Sequence, residues 1–468
     1  MSRSFTRPSH AVGDPVMLDA LGPAGSYRTR NRQTITDTAG VAVGELSIVP
    51  ALFVTRSIAA QRGVAPLPWA ERAAALERAA TLFVQDRIAG LDFAGYVGLA
   101  SRVSGLPITV TRAAALGVAA ELGRAMQAVR PARPVGSVFD WRDERTRGGS
   151  GVWVRRGEVF AVHASGNHPG VHGAWPQALA LGYRVVIRPS QREPFTGHRV
   201  IIALRDAGFR PEDVLYLPTD YTGADEIIRA ADLSMVFGGQ DVVDKYGADS
   251  TVFVNGPGRS KILITADRNW RDYLDVIVDS ISSLGGMACQ NTTAVLYEGD
   301  AAPLGRAIAE RLARIPALPA SDERAVLPTQ PITRARALAD HLAAKAAGST
   351  PLLGADQIVA DLGDGDAALR PAVHLLAAPD TDKLNVELPF PCVWVSPWSR
   401  ADGLAPLRHS LVITAITSDE QLVDRLLAEP TVSNLYRDHH PTSQRAPQLP
   451  HDGYLAEFLM RSKGFIRD

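Results

Sequence analysis

The segment Ser282-Ser-Leu-Gly-Gly-Met-Ala-Cys-Gln-Asn-Thr-Thr-Ala-Val295 decides how the rest of the chain is interpreted, because it sets Cys289 just beyond a glycine pair. Gly285 and Gly286 allow a tight backbone turn, and residues 292–297 have the composition of a β-strand. We therefore expect Cys289 at a corner between a helix and a strand, where its thiol can be approached. The alternative is a buried apolar side chain, since free cysteine is among the most buried residue types.

The bulk composition is that of an ordinary folded protein. The chain has 468 residues, 46% hydrophobic and 21% charged, which predicts two or three domains with packed interiors. Its net charge of -1, from 49 basic and 50 acidic side chains, gives no field that favours nucleic acid or an anionic membrane. Cys289 and Cys392 are the only cysteines, so no disulfide framework and no metal site is predicted. Without a signal-like N-terminus or a long apolar run, a cytoplasmic location is expected.

The order of elements predicts an α/β fold. Residues 1–30 are expected to form an arm, 34–49 a β-hairpin, and 69–129 a helical layer. From residue 159, strands and helices alternate, as in a parallel sheet whose loops bind ligands at the strand ends. Residues 148–151, Gly-Gly-Ser-Gly, precede strand, turn and strand and are assigned to a hinge or hairpin. Cys392 enters an apolar strand and is assigned to the core.

Five segments resemble, in order and separation, motifs of the aldehyde dehydrogenase superfamily. They are Gly166-Asn-His-Pro-Gly-Val-His-Gly-Ala-Trp175, Arg188-Pro-Ser-Gln191, Phe237-Gly-Gly239, Gly286-Met-Ala-Cys289 and Glu387-Leu-Pro-Phe-Pro391. The resemblance implies an aldehyde dehydrogenase-like fold with a Rossmann-type cofactor domain, a second α/β catalytic domain and a small oligomerisation element. The implied domains are 1–254 for NAD(P) binding, with an arm near 134–158, then 255–437 for the catalytic cysteine. The tail, 438–468, would dock on the cofactor domain or on a neighbouring subunit of a homodimer or homotetramer.

The resemblance also implies catalytic roles. Cys289 would be the nucleophile that adds to a carbonyl, and the Asn167 amide, with the backbone N–H of Cys289, would stabilise the oxyanion. Asn167 before His-Pro is otherwise a turn-forming residue. His163, His168 and His172 lie near Asn167 in sequence, and one of them is a candidate base.

Cofactor contacts follow from the same comparison. Arg188 and Ser190 would contact the adenosine ribose and its phosphate, and Glu387 would accept hydrogen bonds from the nicotinamide ribose. Gly238 and Gly239 would allow close approach of the pyrophosphate. Arg188 and Glu387 are otherwise solvated loop charges, and the glycines a strand-end turn. Gln191 replaces an acidic residue common in NAD-using relatives, which favours NADP over NAD.

One departure from the family pattern is chemically informative. The family's general-base glutamate turn corresponds here to Asn255-Gly-Pro-Gly-Arg259, and Asn255 precedes Cys289 by 289 − 255 = 34 positions, as in the family. An amide cannot take a proton from water, so release of a Cys289 thioester to a thiol such as coenzyme A is favoured over hydrolysis.

The sequence therefore predicts an NAD(P)-dependent enzyme that interconverts an aldehyde and an acyl thioester. A hydrolytic aldehyde dehydrogenase with a relocated base and a weakly active binding or assembly subunit are the alternatives. The expected small-molecule partners are an aldehyde or acyl thioester and coenzyme A.

Overall fold

The computed structural model describes residues 15–446 and 448–468. It contains 22 strands and 14 α-helices in these residues. In chain order the strands are β1 (Val16–Leu18), β2 (Ala20–Gly22), β3 (Gly25–Tyr27), β4 (Arg32–Thr36), β5 (Ala42–Ser47), β6 (Ser150–Arg155), β7 (Val159–His163), β8 (Arg184–Arg188), β9 (Val214–Tyr216), β10 (Leu233–Phe237), β11 (Val252–Asn255), β12 (Ser260–Ile264), β13 (Thr292–Tyr297), β14 (Thr329–Pro331), β15 (Thr350–Leu353), β16 (Val359–Gly363), β17 (Asp366–Leu369), β18 (Ala372–Leu375), β19 (Cys392–Pro397), β20 (Ser410–Ile416), β21 (Val432–Arg437) and β22 (Met460–Phe465).

The helices occupy much of the surface of the sheets. They are α1 (Ala51–Gln61), α2 (Trp69–Gln85), α3 (Phe93–Ser104), α4 (Ile108–Ala128), α5 (Pro176–Ala180), α6 (Phe195–Asp206), α7 (Tyr221–Ala230), α8 (Gln240–Tyr246), α9 (Leu274–Ser282), α10 (Ala301–Leu312), α11 (Ile332–Lys345), α12 (Thr381–Leu384), α13 (Glu420–Ala428) and α14 (Leu455–Leu459). Among the described residues no single helix could cross a membrane by length and composition. The pair α3 and α4 passes that test only together, and it is bent by 119°.

A first seven-stranded sheet has the order β11-β10-β7-β8-β9-β2-β3, with β11 to β9 parallel and β2 and β3 antiparallel. Side chains alternate between its faces, because successive residues of a strand point to opposite sides. Phe160 and Val162 lie in the core shared with α2, α4 and α6, whereas Val159 and Ala161 lie in the core under α1 and α7. The α/β fold class predicted from the sequence is confirmed.

A second seven-stranded sheet carries the segment that contains Cys289. Its order is β15-β18-β19-β13-β12-β20-β21, parallel except for β15. Residues on one face of β13, such as Ala294 and Leu296, pack in one core, and Val295 packs in the core on the opposite face. Cys392, in β19, is buried, as predicted.

Two local predictions are wrong. Residues 15–30 are not an arm: they contain β1 to β3, and Leu21 of β2 pairs with Tyr216 of β9, a partner that local composition cannot reveal. Residues 1–14 lie outside the described residues. The strand, turn and strand expected after the glycine run are present as β6 and β7; of the two roles expected for that run, a hairpin is not formed, because β6 pairs with β22 and β7 with β8 and β10. The alternation of strands and helices from residue 159 also predicts a helix around 171–181; the structure has there a 3₁₀ turn and the short α5, which begins at Pro176.

The C-terminal segment connects the two sheets. It leaves the second sheet after β21, and its helix α14 buries Leu455 and Leu459 in the core beside the first sheet. Strand β22 then pairs antiparallel with β6 from Met460–Arg155 to Phe465–Ser150. Residues 444–446 and 449–455 thereby line the cleft between the sheets.

Candidate active site

The turn before β13 is built to present Cys289. Leu284, Gly285 and Gly286 have φ values of 55°, 74° and 64°, which reverse the chain after α9. Asn291 then fastens the turn: its Oδ1 accepts from the Ala288 N–H at 2.9 Å, and its Nδ2 donates to two carbonyls at the end of α9. Cys289 is half-buried, so it is not the buried apolar residue of the alternative interpretation.

The turn at residues 255–259 packs directly against the backbone of Cys289. A Cβ added at Gly258 would lie 1.6 Å from the Cys289 carbonyl oxygen, so only glycine allows this approach. Ser260 Oγ donates to that oxygen at 3.1 Å. The backbone N–H of Cys289 has no acceptor within the described residues.

Six of the nine predicted site residues line one cavity of about 730 Å³. They are Asn167, Gly238, Gly239, Asn255, Cys289 and Glu387. Strand register explains part of this set: Phe237 pairs with Asn255 and Val236 with His163, so the loops after β7, β10 and β11 meet at one edge of the first sheet. Cys289 faces that edge from the second sheet.

Asn167 is oriented by two contacts. Its Oδ1 accepts from Ser165 Oγ at 2.6 Å, and its Nδ2 donates to the Met287 carbonyl at 3.2 Å. An amide nitrogen carries two hydrogens, so one N–H remains beyond the bond to Met287. The side chain thus contacts the cysteine turn with a donor group directed to it.

Glu387 holds the turn that packs on Cys289. Its Oε2 accepts from the Gly258 N–H at 2.9 Å and from the Arg259 N–H at 3.3 Å. The same carboxylate lines the cavity. Asn255 is buried, and its Nδ2 makes only a long contact, 3.5 Å, with the Val236 carbonyl.

The other three predicted residues do not line the cavity. Arg188 ends β8, its guanidinium lies 6.0 Å from the Tyr221 ring centre, and its buried Nε has no hydrogen-bond partner among the described residues. Burial lowers the pKa of Arg188. Ser190 Oγ accepts from the Arg192 N–H, and Gln191 is exposed.

Two arginines that sequence reasoning missed do line the cavity. Arg192 and Arg334 have no ion-pair partner within the described residues, and the pKa of Arg192 is lowered to about 10, first by burial and then by the charge of Arg334. Two arginines without an ion-pair partner among the described residues make this cavity suited to an anionic ligand.

A histidine from the C-terminal segment lies against the thiol. His451 Nε2 is 3.1 Å from Cys289 Sγ, and His451 Nδ1 is 2.5 Å from Asp452 Oδ2. Burial disfavours the charged imidazole, but the electrostatic interactions and hydrogen bonds with Cys289 and Asp452 outweigh burial and raise the pKa of His451 well above its usual value. No motif marked this pair, which lies 162 residues after the cysteine; only the adjacency of His and Asp between Pro450 and Gly453 hinted at an ordered polar turn.

The three histidines considered from the sequence serve the fold. His168 and His172 are buried and His163 is half-buried, and desolvation lowers the pKa values of His163, His168 and His172 to about 3, 3 and 4. His172 Nδ1 accepts from the Trp175 indole at 3.1 Å, and His168 Nδ1 accepts from the Gly170 N–H at 3.0 Å. Only His168 lines the cavity, and none of the three contacts Cys289.

The protein thus has two α/β units separated by a cleft. The cysteine turn of the second unit faces the loops at one edge of the parallel sheet in the first. Residues 51–403 match the model of the aldehyde dehydrogenase family, so the chain belongs to that family, an oxidoreductase family. No curated protein matches the chain in sequence.

Solved structures agree with this assignment. An NAD-dependent aldehyde dehydrogenase from Sinorhizobium meliloti is 16% identical with a TM-score of 0.81, and the match covers 96% of this chain and 94% of that one. An indole-3-acetaldehyde dehydrogenase solved with NAD⁺ is 16% identical with a TM-score of 0.80, covering 96% of each chain. A gamma-glutamyl-gamma-aminobutyraldehyde dehydrogenase from Burkholderia cenocepacia is 16% identical with a TM-score of 0.79, also covering 96% of each. At this identity the similarity establishes the fold.

Proposed function

We propose that this protein is an NAD(P)-dependent oxidoreductase that interconverts an aldehyde and an acyl thioester, with coenzyme A as the expected thiol. The balanced reaction is aldehyde, thiol and oxidised cofactor giving acyl thioester, reduced cofactor and a proton. The observation that carries the proposal is the pairing of a half-buried Cys289 with Asn255 in one cavity. The amide at 255 is not basic enough to take a proton from water, so it cannot serve as the general base for hydrolysis.

The carboxylates of the cavity support the same conclusion. Within the described residues Glu121, Glu387 and Asp452 line it, and each has a partner: Arg124 at 2.9 Å, the Gly258 N–H at 2.9 Å and His451 at 2.5 Å. Because each carboxylate already contacts a protein group, none of the three is an unpaired general base available to water. A thioester on Cys289 would therefore await an acceptor that is a better nucleophile than water, such as a thiol.

The residues of the chain have distinct tasks in this scheme. Cys289 adds to the carbonyl carbon, and the Asn167 amide and the backbone N–H of Cys289 bind the oxygen that becomes negative. Removing one such donor costs about 10²–10³ in rate. The turn at 255–259 and Asn291 keep the thiol in place.

The loop edge fits a nicotinamide dinucleotide. Gly238 and Gly239 would accept close approach of its diphosphate, Arg192 and Arg334 supply unpaired positive charge, and Glu387 would hold ribose hydroxyls. Arg188 and Ser190 would contact the adenosine side, and the absence of an acid at Gln191 favours NADP over NAD. A bound cofactor of this type accepts or supplies the hydride at the substrate carbon.

Hydrolysis to a free acid is the second candidate, because His451, 3.1 Å from the thiol, is a side chain able to accept a proton from water. A weakly active assembly subunit remains the third. The presence of Cys289, Asn167 and Glu387 in one cavity opposes it, since a scaffold requires none of them.

One assay separates the three. Purified protein is incubated with NADPH and acyl-CoA esters, and with NAD⁺ or NADP⁺ and aldehydes with or without coenzyme A, while nicotinamide absorbance and products are followed. We expect acyl-CoA formation that requires coenzyme A, and its loss in Cys289→Ala but not in Cys392→Ala. Aldehyde oxidation to free acid that ignores coenzyme A would refute the proposal in favour of hydrolysis. No turnover in any mixture would favour the third candidate, a weakly active assembly subunit.

A further inference from the structure

We propose that His451 is a catalytic acid–base residue that exchanges a proton with Cys289 Sγ, and that Asp452 is a positioning residue that orients its imidazole. The three side chains form a Cys–His–Asp arrangement in which the acid–base pair is delivered by the C-terminal segment. The inference deepens the proposed function, and its later half rests on that function. The first half, ionisation of the thiol, does not.

The distances are those of a working hydrogen-bonded relay. Cys289 Sγ and His451 Nε2 are 3.1 Å apart, and His451 Nδ1 and Asp452 Oδ2 are 2.5 Å apart. A nucleophile, a base in contact with it and a third group that orients the base are the recurring parts of activated thiols and hydroxyls.

The chemistry of the donors fixes the tautomer. An ionised carboxylate only accepts hydrogen bonds, so the hydrogen on the neutral His451 ring must be at Nδ1, where it is donated to Asp452. Nε2 then carries a lone pair directed at the thiol. Proton transfer from Sγ to Nε2 produces a thiolate beside an imidazolium that Asp452 stabilises, and the raised pKa of His451 agrees with that pair.

The position of His451 is set by both units. Asn434, in β21 of the second sheet, donates its Nδ2 to the His451 carbonyl at 2.5 Å and to the Leu411 carbonyl at 3.0 Å. Directly after Asp452 and Gly453, the chain enters α14, whose Leu455 is buried beside the first sheet. His451 is thus fixed in the cleft by contacts of its segment with both units.

The other ionisable groups that line the same cavity are Glu121, Arg192, Arg334, Glu387, Tyr436, Arg445 and Tyr454, together with His168. The charges that act on His451 are those of Cys289 and Asp452. Arg445 instead acts on His168, whose pKa is lowered first by burial and then by that arginine. The thiol and the Asp452 carboxylate therefore govern the protonation of His451.

The proton has a defined path through acyl transfer. The thiolate forms a C–S bond to the carbonyl carbon of an acyl thioester, and the carbonyl electron pair moves to oxygen. When the adduct collapses, the bond to the leaving thiol breaks and that sulfur takes the proton from His451 Nε2, giving acyl-Cys289 and a free thiol. In the reverse direction, His451 removes the proton of the incoming thiol. No electrons enter or leave in these steps.

Alkylation tests the first half without substrate or cofactor. Iodoacetamide modification of Cys289 is followed by mass spectrometry against pH in wild type, His451→Gln, Asp452→Asn and the matched control His440→Gln, an exposed histidine of the same segment. Cys392 is an internal reference, because burial raises its pKa to about 12 and keeps it inert in folded protein.

We expect His451→Gln to slow Cys289 modification about tenfold or more near pH 6.5, where an ordinary thiol is only about 1% ionised. Asp452→Asn should slow it less and displace the pH profile, and added imidazole should restore part of the rate in His451→Ala. Equal rates and equal pH profiles in wild type and His451→Gln would overturn the proposal. If His451→Gln exposes Cys392 and is therefore unfolded, Asp452→Asn decides by the same criteria.

Turnover separates this inference from the proposed function. If no acyl-CoA or aldehyde is converted but His451→Gln still slows alkylation, the acid–base role stands and the assigned reaction fails. If turnover falls in His451→Gln while alkylation is unchanged, the residue only shapes the cavity and the inference fails.

Discussion

The substitution Gly258→Ala tests whether the contact between the 255–259 turn and Cys289 positions the thiol. A Cβ at 258 would stand 1.6 Å from the Cys289 carbonyl oxygen, 2.4 Å from its carbonyl carbon and 2.7 Å from its Cα. Ordinary contact begins at 3.4 Å, so the two backbones must separate by 3.4 − 1.6 = 1.8 Å. The obstacle is backbone and cannot rotate away.

We expect the added methyl group to displace the Cys289 backbone, because the 255–259 turn is held by hydrogen bonds on both sides of residue 258. The Gly258 N–H donates to Glu387 at 2.9 Å, and its carbonyl accepts from the Leu411 N–H at 2.7 Å. A movement of that size removes the 3.1 Å contact between the thiol and His451. Misplacing a reacting group by about 1 Å can cost about 10² in rate, so kcat/KM should fall at least about 100-fold.

The assay compares kcat/KM, Cys289 alkylation and the thermal unfolding midpoint of Gly258→Ala with those of Gly256→Ala. The matched control meets one side-chain atom, Val243 Cγ2 at 2.7 Å, and not the backbone of Cys289, so it should retain most activity. A Gly258→Ala protein that stays folded with kcat/KM and alkylation within about threefold of wild type would refute the positioning argument.

Three further outcomes are expected. Asn255→Glu puts a carboxylate in the cavity and should raise the share of free acid by tenfold or more, since a positioned general base contributes about 10²–10⁴; an unchanged ratio of acid to acyl-CoA would mean that water activation lies elsewhere. Arg334→Gln should raise the KM for the nicotinamide cofactor several-fold with little change in kcat, whereas Arg336→Gln, on the same helix but away from the cavity, should not; equal KM values would remove Arg334 from the cofactor site. Burial lowers the pKa of His198 to about 4, so between about pH 6.5 and 4 the folded protein binds fewer protons than the unfolded chain. The free energy of unfolding therefore decreases as pH falls through that range, by up to about 1.4 kcal/mol per pH unit. Urea unfolding of His198→Phe, which keeps a ring against Tyr216, should show a shallower pH slope than wild type and His440→Gln, and an identical slope would contradict the assignment.

The sequence was sufficient where function depends on local geometry. Gly285 and Gly286 predicted the corner at Cys289, because a reversal needs residues that tolerate positive φ. Asn167 and Asn255 were assigned to the site through the resemblance of their segments to aldehyde dehydrogenase motifs, and the structure places both in the cavity that Cys289 lines. The alternation of strands and helices likewise predicted the fold class.

The rest depended on contacts between distant parts of the chain. Residues 15–30 have an unremarkable composition: β2 pairs locally with β3, but it joins the first sheet only through β9, almost two hundred positions later. His451 and Cys289 come together because Asn434 and α14 fix the C-terminal segment over the cleft. The residues that flank His451, such as Pro450 and Gly453, do not predict which side chain it contacts. The sequence alone therefore could not identify His451 as the base near Cys289.

The most direct test is whether an acyl group on Cys289 is released to a thiol or to water. Protein is allowed to react with an aldehyde and NADP⁺ without thiol, the peptide containing Cys289 is analysed by mass spectrometry for an acyl adduct, and the remainder is divided between buffer and coenzyme A. We expect an adduct on Cys289 that persists in buffer and passes to coenzyme A as acyl-CoA. Absence of the adduct, or its release as free acid at the same rate with and without coenzyme A, would contradict the proposed function.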